Sequence, residues 1–174
     1  MDNTNTVVGF EPIYDQNIKP TLLILGSAPS VKSLAEQQYY AHPQNAFWWI
    51  LSQLFCFDVD LPYAQRIPYV TNNGVIIWDV LKSCQREGSL DSRIQNEIPN
   101  DIDDLLRSNN TIRMIACNGG AAYKLLRKYH SNLFEQTYKI IQLPSTSSAY
   151  ASLSKQDKLI RWQKLLMLGS KNND

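Results

Sequence analysis

Four short runs rich in Leu, Ile and Val, at Thr21–Leu25, Val75–Val80, Ile112–Cys117 and Tyr138–Leu143, constrain what this chain of 174 residues builds. Each is too short for a helix and reads as a strand buried on both faces. Helical spacing fills the intervals: Phe47, Trp48, Ile50, Leu51, Leu54 and Phe55 mark an amphipathic helix within 45–57, and Ala122, Leu125, Leu126 and Tyr129 mark another. Asn100 stands as the N-cap of a further helix with Asp101, Asp103 and Asp104 in its first turn. Negative charge there suits the helix dipole, so the acidic cluster reads as capping before it reads as a metal site. Ser154 with Asp157 has the spacing of a capping box opening a last helix. Strands alternating with helices predict a parallel sheet covered on both faces, with ligands beyond the carboxyl ends of its strands.

The length suits one domain over 1–174, burying about two-thirds of the surface the unfolded chain exposes. Residues 1–20 read as a polar lead-in lying across the domain, anchored by Phe10, Ile13 and Tyr14, and 168–174 as a frayed tail. Cys56, Cys84 and Cys117 are far apart, odd in number and form no C-x-x-C pair. They point to a reduced, intracellular (cytoplasmic) setting and away from a disulfide framework or a metal site. The start, Met1 to Thr6, is polar and acidic, and no apolar run approaches membrane-spanning length, so neither a secretory signal nor a membrane partner is expected. A net charge of +1 neither demands nor excludes nucleic acid. Lys155, Lys158, Arg161, Lys164 and Lys171 read first as a solvated basic helix face and second as a phosphate-contacting segment.

Three loops leaving strands have unusual composition and are expected on one edge of the sheet: Gly26-Ser-Ala-Pro-Ser30, Asn118-Gly-Gly120 and Pro144-Ser-Thr-Ser-Ser148. Gly26 allows close backbone approach and Pro29 sets the turn, which makes either a ligand cradle or an ordinary strand-to-helix turn. Neither G-x-G-x-x-G nor a Walker-type loop is present, so dinucleotide and P-loop sites are unsupported. Asn118 follows a strand directly. Either its amide faces the cleft, offering an acceptor and a donor to N1–H and O6 of hypoxanthine or N3–H and O4 of uracil, or it caps the following helix. Asn45 is ambiguous in the same way. Among Tyr39, Tyr40, Phe47, Trp48 and Trp49, Tyr40 is the stacking candidate, while Phe47 and Trp48 serve mainly as packing. His42 and His130 have no partner at ligand or triad spacing. The Pro144 to Ser148 loop suits phosphate contact, though serine-rich loops often have no such role.

These residues carry a family resemblance. The chain resembles the uracil-DNA glycosylase superfamily, and within it the hypoxanthine-DNA glycosylase (DNA-deoxyinosine glycosylase) family, over roughly Gly9 to Leu166. The marks are Gly26-Ser-Ala-Pro-Ser with Ser33-Leu34, Tyr39-Tyr-Ala-His-Pro-Gln-Asn-Ala-Phe-Trp48, Trp78-Asp-Val-Leu with Ser83-Cys84, Gly88-Ser-Leu-Asp91, Asn118-Gly119 and Leu143-Pro-Ser-Thr-Ser147. The resemblance implies a three-layer α/β/α sandwich around a short, mainly parallel four-stranded sheet. It implies a monofunctional DNA glycosylase, a hydrolase without metal or cofactor that flips a deaminated base out of DNA and cuts its glycosidic bond in base excision repair. The implied partner is double-stranded DNA carrying such a base, with single strands as a further candidate, and the implied state is a monomer. By position, Tyr40 matches the aromatic that stacks on the flipped base, in a base pocket with Gly26, Ser27, Ala28, Pro29 and Phe47. Asn45 matches a catalytic amide, and Asn118 a base-edge reader that assists. The Leu143 to Ser147 motif matches a loop that presses the DNA backbone and wedges into the gap, giving Pro144, Ser145, Thr146, Ser147 and Ser148 as the DNA-binding set.

The departures from the pattern also carry information. Many superfamily members place a water-positioning Asn or Asp where this chain has Ala28. The resemblance therefore shifts the expected catalytic role toward Asn45 and Asn118 and the expected base from uracil to hypoxanthine. Ser30 replaces a usual glycine and Ser148 a common proline. A glycosylase for uracil or a mismatched pyrimidine is the same-fold alternative. A non-catalytic DNA- or nucleotide-binding protein is the alternative from another class, and hydrolysis of free nucleosides a further one.

Overall fold

The four apolar runs pair as a wholly parallel sheet in the computed structural model, which describes residues 5–169. In chain order the elements are β1 (Thr6–Val8), β2 (Leu22–Gly26), α1 (Val31–Glu36), α2 (Phe47–Phe55), α3 (Tyr63–Thr71), β3 (Val75–Asp79), β4 (Leu81–Gln85), β5 (Gln95–Pro99), α4 (Ile102–Ser108), β6 (Met114–Asn118), α5 (Gly120–Tyr129), β7 (Lys139–Leu143), α6 (Lys155–Trp162) and α7 (Lys164–Gly169). The sheet order is β3-β2-β6-β7. The chain leaves β2 toward β3 on one side and later returns to lay β6 on the other, so direction reverses between β2 and β6. Such a reversal opens a crevice at the carboxyl ends of the two strands. Gly26 ends β2 there, and Asn118 ends β6.

Alternate residues along each strand face opposite layers, which makes the sandwich. Leu22, Ile24, Val75, Ile77, Met114 and Ala116 pack against α2, α3 and α6 through Phe47, Trp48, Ile50, Leu51, Val70 and Trp162. Leu23, Leu25, Ile76, Trp78, Ile115 and Cys117 pack against α4 and α5 through Ile102, Leu105, Leu106, Ala122, Leu125 and Leu126. Every residue of β2 and β3 is buried, and continuous apolar runs record that two-sided cover.

A second sheet, β1-β4-β5, is antiparallel and went unread in the sequence. Only Leu81 and Cys84 of β4 are buried, and β5 buries none of its side chains fully, so neither strand shows a periodic apolar signal. Tertiary pairing defines them instead, with Val80 and Leu81 N–H donating to Gly26 and Ser27 carbonyls at 2.8 and 3.1 Å. The short helices α1 and α3 were also unread; α3 contains Pro68, which interrupts a helical pattern.

The lead-in does lie across the molecule, but as more than a polar strap. Thr6–Val8 pairs with β4, and Ile13 bridges Ile77 on the exposed edge of β3. That bridge covers an edge strand. Asn100 is not the cap of α4. Asp101 is, its carboxylate accepting from Asp104 N–H at 3.0 Å, whereas the Asn100 amide donates to the Asp79 carbonyl at 2.9 Å. The Ser154 hydroxyl does cap α6, accepting from Asp157 N–H at 3.1 Å. Among the described residues no helix is long and apolar enough to cross a membrane. Residues 170–174, with Lys171 and most of the expected frayed tail, lie outside the described residues.

Candidate active site

The three strand-exit loops converge on a cavity of about 250 Å³ at the carboxyl ends of β2, β3 and β6. That is just below the range of about 300–1,000 Å³ typical of drug-sized ligands, a space for one ring system rather than a dinucleotide. Gly26, Ser27, Ala28 and Pro29 form one wall, Tyr40 and Asn45 a second, and Asn118 with Ser145 to Ser148 a third. Phe47 and Pro144 do not line it.

Tyr40 is held by its surroundings in an unusual backbone state. Its φ is +54°, in the left-handed region that a bulky side chain rarely occupies. Pinning comes from both neighbours: Tyr39 N–H donates to the Tyr63 hydroxyl at 3.1 Å, Tyr39 carbonyl accepts from Trp48 Nε1 at 2.8 Å, and Ala41 N–H donates to Ser33 Oγ at 3.1 Å. The Tyr40 ring stacks on fully buried Phe47, centroids 3.8 Å apart. Phe47 therefore backs the stacking ring instead of meeting a ligand. The Tyr40 hydroxyl is buried beside the Asn118 amide, without a hydrogen bond of good geometry. Burial pushes its pKa far up, so it stays neutral.

Gly26 serves a close approach of its own neighbours. A β-carbon there would sit 2.5 Å from Asp79 Oδ1 and 2.8 Å from the Tyr40 hydroxyl. Both groups meet over this α-carbon, at the floor of the cavity. Asp79 is 4 % exposed, and no hydrogen bond to its carboxyl exists among the described residues. Burial, then the Asp91 charge, push its pKa up to about 7 against the opposing pull of Arg86. Sequence reasoning missed Asp79 as a site residue. The available signal was a single carboxyl closing the otherwise apolar run Val75-Ile-Ile-Trp78.

A second loop clamps the first. Ser27 Oγ donates to Asp91 Oδ1 at 2.6 Å, and Val31 N–H donates to Ser89 Oγ at 2.9 Å. Arg86, 4 % exposed, donates to the carbonyls of Pro29 and Gly88. The Gly88-Ser-Leu-Asp91 segment thus fixes the wall that contains Ala28, and places Leu90, 49 % exposed, on the rim.

The two amides differ. Asn45 Oδ1 accepts from Phe47 N–H at 2.9 Å, which turns its nitrogen away from the helix start with no hydrogen bond among the described residues. Asn118 has both amide atoms on one residue: Oδ1 accepts from Thr146 N–H and Nδ2 donates to Thr146 Oγ1, each at 2.9 Å. It neither caps α5 nor presents its paired donor–acceptor edge to the cavity. Thr146 is 1 % exposed, so its hydroxyl does not face a phosphate; those of Ser145, Ser147 and Ser148 are the accessible ones. Leu143, 2 % exposed, is core and no wedge. Lys158 departs from the solvated face expected for it: it is buried, and Nζ donates to the Ser147 carbonyl at 2.9 Å. Lys155 lies over the Trp49 ring at 4.0 Å. His130 is not alone, with Nδ1 2.9 Å from Asp103 Oδ2 and Nε2 3.0 Å from the Asn100 carbonyl, far from the cavity lining.

Gly119 packs the two segments of the third wall together. Its φ is +94°, and a β-carbon would lie 2.9 Å from Ser145 Cβ. Gly119→Ala is expected to destabilise the fold by about 1–3 kcal/mol, through backbone strain and overpacking together. Thermal unfolding checks this; a Tm within one degree of the parent protein would contradict it.

Residues 13–166 match the family model described as the uracil DNA glycosylase superfamily. The chain belongs to the uracil DNA glycosylase superfamily. This glycosylase is 36 % identical over 148 residues to a protein of Methanosarcina acetivorans named hypoxanthine DNA glycosylase, covering 84 % of this chain and 90 % of that one. A Methanosarcina barkeri protein of the same name is 33 % identical over 142 residues, covering 81 % and 86 %. The solution NMR structure of a Methanosarcina acetivorans protein described as a candidate uracil DNA glycosylase superposes with a TM-score of 0.78 at 33 % identity, over 92 % of this chain and 96 % of the other. As a DNA glycosylase the protein is a hydrolase with DNA as its substrate.

Proposed function

We propose that this glycosylase takes deoxyinosine out of double-stranded DNA, acting as a monomer, and hydrolyses the bond between hypoxanthine and its sugar to leave an abasic site. The observation that carries the reading is the cavity sized for one base and bordered by three strand-exit loops, with an aromatic wall at Tyr40 and an alanine at position 28. The names of the two Methanosarcina relatives support the choice of base.

Flipping costs a few kcal/mol, least for a mispaired base, and Tyr40 offsets part of it by stacking. Ser145, Ser147 and Ser148 hold the flanking phosphates with hydroxyls and backbone N–H groups. As the C1′–N9 bond lengthens, its electron pair moves to the purine and positive charge grows on the sugar. The Asn45 amide nitrogen, held in place because Phe47 N–H fixes its oxygen, donates to the departing base. Water bonds to C1′ and sheds a proton, and the base takes one up. An amide is a poor general base, so catalysis rests on fixed dipoles, and each donor accounts for about a hundredfold. Asn118 contributes by locking Thr146 and so the phosphate-holding loop.

Release of free hypoxanthine from an inosine-containing duplex, run beside xanthine and uracil duplexes, tests the proposal. Asn45→Ala is expected to slow single-turnover release about a hundredfold, and Asn45→Ala with Asn118→Ala to slow it further. No release by the parent protein, or unchanged release by the double variant, would sink the assignment.

A further inference from the structure

We propose that Asp79, in its neutral form, is the group that meets the edge of the flipped base, donating from its hydroxyl and accepting at its carbonyl oxygen. This rests on the base-excision reading above and assigns a specific contact within it.

Depth decides what Asp79 touches. A flipped nucleotide enters base first, so the group on the floor meets the base, while the sugar stays near the loops at the mouth. Asp79 ends β3 beneath the Tyr40 hydroxyl, and a ring stacked on Tyr40 brings its edge to that point. The amide expected to read this edge, Asn118, turns its paired donor–acceptor edge onto Thr146. Asn45, the other amide in the lining, has its oxygen held by Phe47 N–H.

The surroundings favour the neutral acid. A carboxylate buried without hydrogen-bond donors is costly, and a nearby like charge makes it more so. The charged and titratable groups facing Asp79 are few. From β4 and the loop after it come Asp91, which opposes ionisation, and Arg86, whose guanidinium donates to the Pro29 and Gly88 carbonyls. From the segment after α1 come the Tyr39 and Tyr40 hydroxyls, both pushed up by burial and so neutral. From β4 itself comes the Cys84 thiol, pushed up by burial and so neutral. The protonated carboxyl has the hydrogen-bonding pattern of a primary amide. Its carbonyl oxygen accepts from N1–H of hypoxanthine while its O–H donates to O6, and that second bond strengthens as electron density arrives on the purine. The proton stays with Asp79 over the cycle.

The test has two arms on the full-length protein. In the first, the Asp79 side-chain carboxyl is followed by ¹³C NMR across pH. Titration near neutrality supports the proposal, and titration in the ordinary carboxylate range overturns it. In the second, single-turnover release of hypoxanthine is measured from about pH 5 to about pH 9. Parent activity is expected to fall tenfold for each unit above the folded pKa of about 7. Asp79→Asn, a donor at every pH, is expected to keep release within tenfold at low pH and to lose that alkaline fall. Asp79→Ala is expected to be down about a hundredfold throughout. An Asn variant that is folded by thermal unfolding yet as slow as the Ala variant, or that keeps the alkaline fall, overturns the proposal. Absence of release by the parent protein from every substrate would instead bring down the base-excision reading, and this contact with it.

Discussion

Tyr40→Ala is expected to cut single-turnover release of hypoxanthine roughly a hundredfold, because stacking on one aromatic ring contributes about 1–3 kcal/mol per base and each 1.4 kcal/mol is about a factor of ten. The ring offers a flat apolar face in the cavity wall, and fully buried Phe47 stands behind it at 3.8 Å to keep it upright. Truncation also removes packing from Phe47, so a loss of about 2–3 kcal/mol in folding stability accompanies it. Tyr40→Phe separates the two effects. It keeps the ring and deletes a hydroxyl that is buried without a partner, so stability is expected to be unchanged or to rise by about 1 kcal/mol. Release by the Phe variant should far exceed that of the Ala variant. Equal release by the two would remove stacking from the mechanism.

The second large effect is on stability against pH. Folding raises the Asp79 pKa from 3.8 to about 7. Between those values the native state holds a proton that the unfolded chain has released, so stability falls as pH rises through the window. Three units correspond to about 4 kcal/mol as an upper figure, and about 2–4 kcal/mol is the expected range. Asp103 opposes this trend. Burial works against its ionisation, but hydrogen bonds from His130 and Asn132 outweigh it and hold its pKa below the ordinary value, so its contribution is lost as pH falls. Comparing the parent with Asp79→Asn cancels such background terms. The Asn variant should unfold at a higher denaturant concentration than the parent at about pH 8, with the gap closing toward about pH 4. A gap that does not change with pH would mean that Asp79 is ionised in the folded protein.

The same carboxyl also shows where sequence reasoning stopped. Leu22 to Leu25 and Val75 to Ile77 announce strands covered on both faces because burial selects apolar side chains, and composition carries that selection openly. The loops after β2, β6 and β7 were legible as site material for a related reason: glycine, proline, asparagine and serine gather where backbone must turn or bind. What those side chains do was not legible. Asn118 looked the same whether its amide faced a base or faced Thr146, because the choice depends on a residue 28 positions away. Lys158 looked like a solvated cation, yet it is buried against the Ser147 carbonyl. The polar strands β4 and β5 had no periodic signal to give, since their order comes from pairing with partners remote in sequence.

Local chemistry, then, was enough to establish the parallel sheet and the loops that border the cavity and to single out Tyr40 as a stacking candidate, while Ala28 drew notice only through the family resemblance. Tertiary structure alone decided which polar groups are free. Gly26 lets Asp79 and Tyr40 meet above one α-carbon, Thr146 takes the edge of Asn118, and Asp91 adds its charge to a buried acid. The physical reason is that hydrogen-bond satisfaction and desolvation are properties of neighbours in space, and a chain of letters lists only neighbours along the backbone.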